Sequence, residues 1–176
     1  FFFFFFFFSS FVLFGESRRI FNNVNNKKQG GNSQYSIKSF QKISSLEGNF
    51  NGILDDTDLF GVSVSFVGDL DGDNIPDVGV GSPGDDDGGS NRGAIWILYL
   101  NSDGTVKSYF KISSTQGNFS GILDDGDQFG ISISSIGDLN GDGGFPDLVV
   151  GSRGDDDGGN DRGSVWILFK TPPLTS

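Results

Sequence analysis

Asp69, Asp71, Asp73 and Asp77 stand at positions 1, 3, 5 and 9 of the stretch Asp69-Leu70-Asp71-Gly72-Asp73-Asn74-Ile75-Pro76-Asp77. Four carboxylates in so short a span repel one another unless a cation lies between them. Alternate residues of a tight turn project to one side, so positions 1, 3 and 5 can converge on one point. A hard cation such as Ca²⁺ takes about six to eight oxygens at about 2.3–2.6 Å. The backbone carbonyl of Ile75 can add an oxygen, and Asp77 closes the shell. The competing reading is a solvated acidic turn, and repetition weighs against it. Asp138, Asn140, Asp142 and Asp147 recur in Asp138-Leu139-Asn140-Gly141-Asp142-Gly143-Gly144-Phe145-Pro146-Asp147. One residue added around Gly143-Gly144 moves the last Asp to position 10, which bulges the loop or loosens the second site.

Composition narrows the chemistry. The chain has no Cys and no His. Disulfides, thiolate chemistry and the commonest general base are therefore excluded, and a metal site must be built from oxygens. Oxygen-only sites favour Ca²⁺ over Mg²⁺ or Mn²⁺. The formal net charge of −11 argues against binding nucleic acid or an anionic membrane by electrostatics. The absence of Met reads as a processed product or a fragment.

The elements that must hold these loops come as a repeat. Lys42-Ile43-Ser44 returns as Lys111-Ile112-Ser113, Gly48-Asn49-Phe50 as Gly117-Asn118-Phe119, and Ile53-Leu54-Asp55-Asp56 as Ile122-Leu123-Asp124-Asp125, all at an offset of 69. After the added glycine the offset is 70, matching Arg92-Gly93 to Arg162-Gly163 and Trp96 to Trp166. Such self-similarity indicates a repeat architecture. Repeat one is set at 35–104 and repeat two at 105–170, after a polar linker at 20–34 and before a tail at 171–176.

Each repeat reads as four short strands. Ile37–Ser45 pairs in sequence with Val106–Ser114. Val62-Ser63-Val64-Ser65-Phe66-Val67 alternates strictly, as does Ile131-Ser132-Ile133-Ser134, which is the strand period. Its small serines suit a strand where space tapers toward an axis. Val78–Gly81 is short. Ala94–Leu100 is continuously apolar, so both its faces should be covered. No segment shows a helical period with caps. Four short antiparallel strands per repeat, two of them joined by a cation loop, describe a β-propeller blade.

Upstream, Phe1–Phe8 and Phe11–Phe14 form an apolar run of about fifteen residues, roughly 22 Å as a helix, too short for a bilayer core of about 30 Å. With Gly15-Glu16-Ser17 it reads as a signal-peptide-like segment for secretion or membrane anchoring. Against that, the basic pair Arg18-Arg19 follows the run instead of preceding it. The alternative is a low-complexity stretch; either way residues 1–19 are set outside the fold.

With Phe60-Gly61 and Phe129-Gly130, with Gly81-Ser82-Pro83 and Gly151-Ser152-Arg153 where Gly-Ala-Pro is usual, and with the acidic loops between them, the chain resembles the FG-GAP repeat of integrin alpha subunit propellers and of many microbial surface proteins. The resemblance covers about residues 35–170. It implies an all-β fold of two tandem blades in an incomplete propeller, with a Ca²⁺ loop between the first two strands of each blade. Carried over, the metal ligands are Asp69, Asp71, Asp73 and Asp77, then Asp138, Asn140, Asp142 and Asp147. Asn74 replaces the usual glycine at loop position 6. The family phase also assigns strands. Blade one is Gly61–Val67, Asp77–Ser82, Gly93–Leu100 and Val106–Ser114. Blade two is Gly130–Ile136, Asp147–Ser152 and Gly163–Phe169, and Thr171-Pro172-Pro173 breaks any fourth strand. Ile37–Ser45 becomes the outer strand of an earlier blade, and further blades of the same parent chain are expected.

Two acidic motifs lie outside the cation loops. Asp55-Asp56-x-Asp58, with its copy Asp124-Asp125-x-Asp127, and the Asp85–Asp87 and Asp155–Asp157 runs are a second cation site, an acidic rim, or turn chemistry. Arg92 and Arg162 are expected to pair with loop aspartates or carbonyls, with anion binding as the alternative. The functional expectation is a non-enzymatic, calcium-binding module, extracellular or on a cell surface, that presents a face to a protein or glycan ligand. The rival is a secreted polysaccharide-degrading enzyme, or its accessory propeller, with Asp55, Asp56 and Asp58 as candidate carboxylates. Duplication of that motif argues against catalysis.

Overall fold

The structure is a computed structural model that describes residues 35–143 and 146–169. Residues 1–38 and 39–176 form separate units, and only 35–38 of the first are described. The Phe-rich run, the linker at 20–34, Gly144–Phe145 and the Thr171-Pro172-Pro173 end lie outside the described residues.

Period-two alternation produces the strands it predicts. β1 (Ser63–Gly68), β2 (Asp77–Ser82), β3 (Ala94–Leu100) and β4 (Val106–Ser113) form a four-stranded antiparallel sheet in that order. β5 (Phe129–Gly137), β6 (Asp147–Ser152) and β7 (Ser164–Leu168) form a three-stranded sheet in order. No helix occurs among the described residues. The fold is all-β, and the two sheets are two consecutive blades of a β-propeller.

The strand Ile37–Ser45 does not form. Residues 35–43 are irregular, and only an isolated bridge joins Ser44 to Glu47. Its repeat counterpart β4 exists because β3 offers a full edge, from Ala94↔Ser113 to Leu100↔Val106. No such edge faces residues 39–43 among the described residues, so the same sequence stays unpaired. The turn that follows is nonetheless repeated: Ser44 and Ser113 each donate a backbone N–H to the residue three ahead, Glu47 and Gln116.

The core lies between the sheets and within blade one. Ile95 and Ile97 of β3 are buried against Phe129, Ile133, Leu148 and Val150 of blade two. On the other face of β3, Trp96 and Leu98 pack with Phe50, Val80 and Val106. β3 is thus covered on both sides, as its unbroken apolar run requires. The Phe of each FG pair stacks on the Phe of the Gly-Asn-Phe motif: Phe60 on Phe50 at 5.1 Å and Phe129 on Phe119 at 5.3 Å. Trp96 and Trp166 meet those same Phe50 and Phe119 rings edge-on, at 5.2 Å each. Ser63 of β1 serves close approach. Ser63 Oγ donates to the carbonyl of Gly130 at 2.8 Å, and a Cβ on Gly81 would collide with that same carbonyl.

Candidate metal centre

The first acidic loop joins β1 to β2 and is wound around Asp69. Asp69 Oδ1 accepts N–H bonds from Gly72 and Asp73, and Oδ2 accepts one from Asn74 at 2.8 Å. Asp71 Oδ1 accepts from Asp73, and Asp73 Oδ1 from Ile75. Asn74 turns the loop with φ of 65°, a left-handed conformation that Asn tolerates better than most residues. Asp77 is fully buried: Oδ2 accepts from Leu70 at 2.7 Å and Oδ1 from Leu100 at 3.0 Å. Burial raises its pKa; those two bonds pull the other way, and the neighbouring Asp71 and Asp69 add to the rise.

This winding gathers carboxylates. Oxygens of Asp69, Asp71 and Asp77 lie within 4.8 Å of one another. Asp73 is not part of that group; Lys107 Nζ of β4 sits 2.7 Å from Asp71 Oδ2 and 2.8 Å from Asp73 Oδ2. The Lys107 ammonium thus stands where positive charge is wanted. It lowers the Asp73 pKa and is itself held well above the usual lysine range by the Asp71 and Asp73 bonds. The donor set fits a hard cation: every side-chain donor is oxygen, and a carboxylate oxygen that accepts one N–H keeps a second lone pair.

The second loop, between β5 and β6, repeats five of these bonds among the described residues. Asp138 Oδ1 accepts from Gly141 and Asp142, and Oδ2 from Gly143 at 2.9 Å. Asn140 Oδ1 accepts from Asp142, and Asp147 Oδ2 from Leu139 at 2.9 Å. Gly143 takes the left-handed position of Asn74, with φ of 71°. The added residue therefore falls after position 6 and leaves Asp138 and Asp147 in the places of Asp69 and Asp77. Asn140 replaces one carboxylate and donates through Nδ2 to Asp142 at 2.9 Å.

The remaining aspartates build turns. Asp58 is buried, and its Oδ2 accepts from Asp55 N at 2.9 Å. The Asp58 backbone carbonyl accepts from Ser82 Oγ and Gly84 N. Asp127 repeats all three bonds with Asp124, Ser152 and Gly154. Asp55 and Asp56 are exposed. Asp85 and Asp87 are bound by Lys111 Nζ at 2.7 and 2.8 Å, and that ammonium lies 4.8 Å from the Trp96 ring centre. Lys111 is the residue the sequence reading missed. It lies far along the chain from both aspartates, and its only signal there is a lysine in the first position of a repeated Lys-Ile-Ser. Burial raises the pKa of Asp85 and of Asp58. Burial also pushes Asp87 upward, but its bonds to Lys111, Ser113 and Gln116 outweigh that and leave it low. Arg92 pairs with a loop aspartate as expected: its Nε reaches Asp125 Oδ1 at 2.8 Å, across the junction between the blades.

Two sheets of one design, at a repeat offset of 69 and then 70 residues, invite comparison with known repeats. The FG-GAP repeat family matches residues 60–98 and again 129–168. The chain carries two FG-GAP repeats. Each match runs from the FG pair to the third strand of its blade, and so encloses one acidic loop. Integrin alpha-7 of Rattus norvegicus is 38% identical over 97 residues, 55% of this chain and 8% of that protein. Integrin alpha-X of Mus musculus is 37% identical over 97 residues, 54% of this chain and 8% of that protein. Integrin alpha-5 of Xenopus laevis is 35% identical over 103 residues, 55% of this chain and 9% of that protein. The FG-GAP chain thus spans less than a tenth of the length of these relatives.

Proposed function

We propose that this FG-GAP chain is a calcium-stabilised, non-enzymatic propeller module that binds a protein or glycan ligand outside the cell or at its surface. The observation that carries the reading is the convergence of Asp69, Asp71 and Asp77 within 4.8 Å, each of them accepting backbone N–H bonds. In this reading Asp69, Asp71, Asp73, Asp77 and the Ile75 carbonyl hold one Ca²⁺. Asp138, Asn140, Asp142 and Asp147 hold a second. The ion neutralises the loop carboxylates and fixes the connection between the first two strands of each blade. Extracellular calcium modules bind at about 10⁻⁴–10⁻³ M, which suits the calcium-rich exterior. The likeness to integrin alpha chains supports an adhesive role. The Asp55–Asp58 motif supports a turn more than a catalytic pair, since the Asp58 carboxylate caps its own loop and the arrangement recurs at Asp127.

Thermal unfolding with Ca²⁺ and with chelator tests this. At a Kd of about 0.1 mM, 1 mM Ca²⁺ stabilises by roughly 1.4 kcal/mol per independent site. The increment is expected to disappear in an Asp71→Ala, Asn140→Ala double variant. A melt indifferent to Ca²⁺ in the parent chain would sink the calcium reading.

A further inference from the structure

Asn118-Phe119-Ser120 is the one Asn-x-Ser/Thr triplet in the chain. Such a triplet on a surface loop is the acceptor for N-linked glycosylation. Its repeat counterpart, Asn49-Phe50-Asn51, has the same Gly before it and the same Phe at its centre, but no hydroxyl at the third position. The two copies adopt one turn. Gly117 and Asn118 have φ of 77° and 52°, against 76° and 57° at Gly48 and Asn49. Both Asn residues thus take a left-handed backbone, which Asn visits more readily than most residues.

The central residue anchors the turn while its neighbours stay outside. Phe119 stacks on Phe129 at 5.3 Å and meets Trp166 edge-on at 5.2 Å, as Phe50 meets Phe60 and Trp96. A Cβ on Gly121 would run into the Phe119 and Trp166 rings, and one on Gly52 into Phe50 and Trp96. The fold therefore requires this Phe and this Gly. The position between them is unconstrained: Ser120 and Asn51 are both exposed, and neither side chain makes a hydrogen bond among the described residues. Asn118 is exposed as well, and its amide makes no such bond. Asn101 and Asn140, by contrast, have their amides tied to Thr105 and Asp142.

The exposure of the turn does not depend on which blades surround it. Asn49 is exposed although β4 lies against its turn, with Val106 N donating to the Gly48 carbonyl at 2.8 Å, and although a blade follows its own. Asn118 is exposed although a blade precedes its own. Each neighbour that further blades would add at one copy is present at the other, and neither copy is covered.

We propose that this shared turn presents its Asn for N-glycosylation, and that Ser120 makes Asn118 the acceptor. The proposal rests on the reading that the chain enters the secretory route. The donor is an oligosaccharide carried on a lipid pyrophosphate, and the transferase is the cell's own. The Asn118 Nδ2 forms a bond to the anomeric carbon of the oligosaccharide. The bond from that carbon to the pyrophosphate oxygen breaks, the lipid pyrophosphate leaves, and the amide gives up one proton. Asn49 has the same turn and lacks only the hydroxyl two residues on.

The test places the full chain behind a cleavable secretion signal and translates it with vesicles of endoplasmic reticulum. Only chains protected from added protease are counted, so every chain scored has met the transferase. The parent chain should carry one glycan. Peptide-N-glycosidase should remove it and convert the amide to a carboxylate, which marks position 118 by mass. Asn118→Gln and Ser120→Ala should each carry none, and Asn51→Ser should carry two. A protected parent chain without a glycan, a glycan that persists in Asn118→Gln, or an Asn51→Ser chain that stays at one would overturn the proposal. The calcium reading is decided separately by the melts with Ca²⁺ and chelator, so the two can fail independently.

Discussion

Lys107 Nζ lies 2.7 Å from Asp71 Oδ2, so the first acidic loop is bonded by a side chain of the fourth strand of its own blade. A fixed ammonium beside a carboxylate cage competes with an arriving divalent ion for the same oxygens. Lys107→Gln is therefore expected to strengthen Ca²⁺ binding at the first loop several-fold at low salt. The gain should shrink in 0.5 M salt, where charges about 4 Å apart near the surface are more strongly screened. Calorimetric titration checks this; equal or weaker affinity in the variant would show that Lys107 does not oppose the ion.

Asp77 and Asp71 separate structure from ligation. Asp77 is buried and accepts backbone bonds from Leu70 and Leu100. Asp77→Ala leaves both donors short, at about 1–3 kcal/mol each, so it should destabilise the fold even in chelator. Asp71 is exposed; its Oδ1 accepts a 3.3 Å bond from Asp73, and its Oδ2 holds Lys107 in a surface ion pair of little net worth. Asp71→Ala should cost little in chelator and remove most of the first site's calcium increment. Urea melts of both variants in chelator and in 1 mM Ca²⁺ give the comparison.

Lys111 supplies a third prediction. Its side chain is 8% exposed and neutralises Asp85, whose own exposure is 3%. Removing one partner of a buried pair costs about 3–5 kcal/mol, because the other charge is stranded. Lys111→Met should show that loss at pH 7. Burial already raises the Asp85 pKa above its ordinary 3.8, so the folded state gains from protonating it as pH falls toward that value. Without Lys111 the rise is larger. Asp87 acts oppositely: held low chiefly by Lys111 against burial, it gives the parent chain stability above the ordinary carboxylate value that is lost as pH falls through its folded value. The Asp85 effect narrows the gap between variant and parent on acidification from pH 7 to pH 4, and the Asp87 effect narrows it further below pH 4. A gap that stays constant or widens would mean that Lys111 acts through packing on Trp96.

Which features were legible follows from how local their causes are. Strand existence rests on side-chain alternation along a few residues, and β1 to β7 appear where the alternation and the apolar run of Ala94–Leu100 place them. The winding of both acidic loops is also local, since Asp69 and Asp138 bond to N–H groups three to five residues on. What escaped depends on distant partners. Ile37–Ser45 carries a strand sequence but needs an edge from another blade. The Lys111 cluster joins three elements that sequence proximity does not connect. The added residue in the second loop looked disruptive. The turn from Asp138 to Gly143 keeps the bonds that Asp69 makes in the first loop, and Gly144 and Phe145 lie outside the described residues.

Gly61 and Gly130 are repeat equivalents in nearly the same conformation, with φ of 95° and 91°, but in different surroundings. A Cβ on Gly130 would collide with the carbonyl oxygen of Ala94 in the blade junction, whereas a Cβ on Gly61 meets nothing within 4 Å. A left-handed backbone costs a non-glycine residue about 1–2 kcal/mol, and Gly61→Ala should lose no more than that from the single chain. Gly130→Ala adds the collision and should cost about 3 kcal/mol or more. Urea melts of both variants check this; equal losses from Gly61→Ala and Gly130→Ala would show that the close approach at the blade junction does not set the cost.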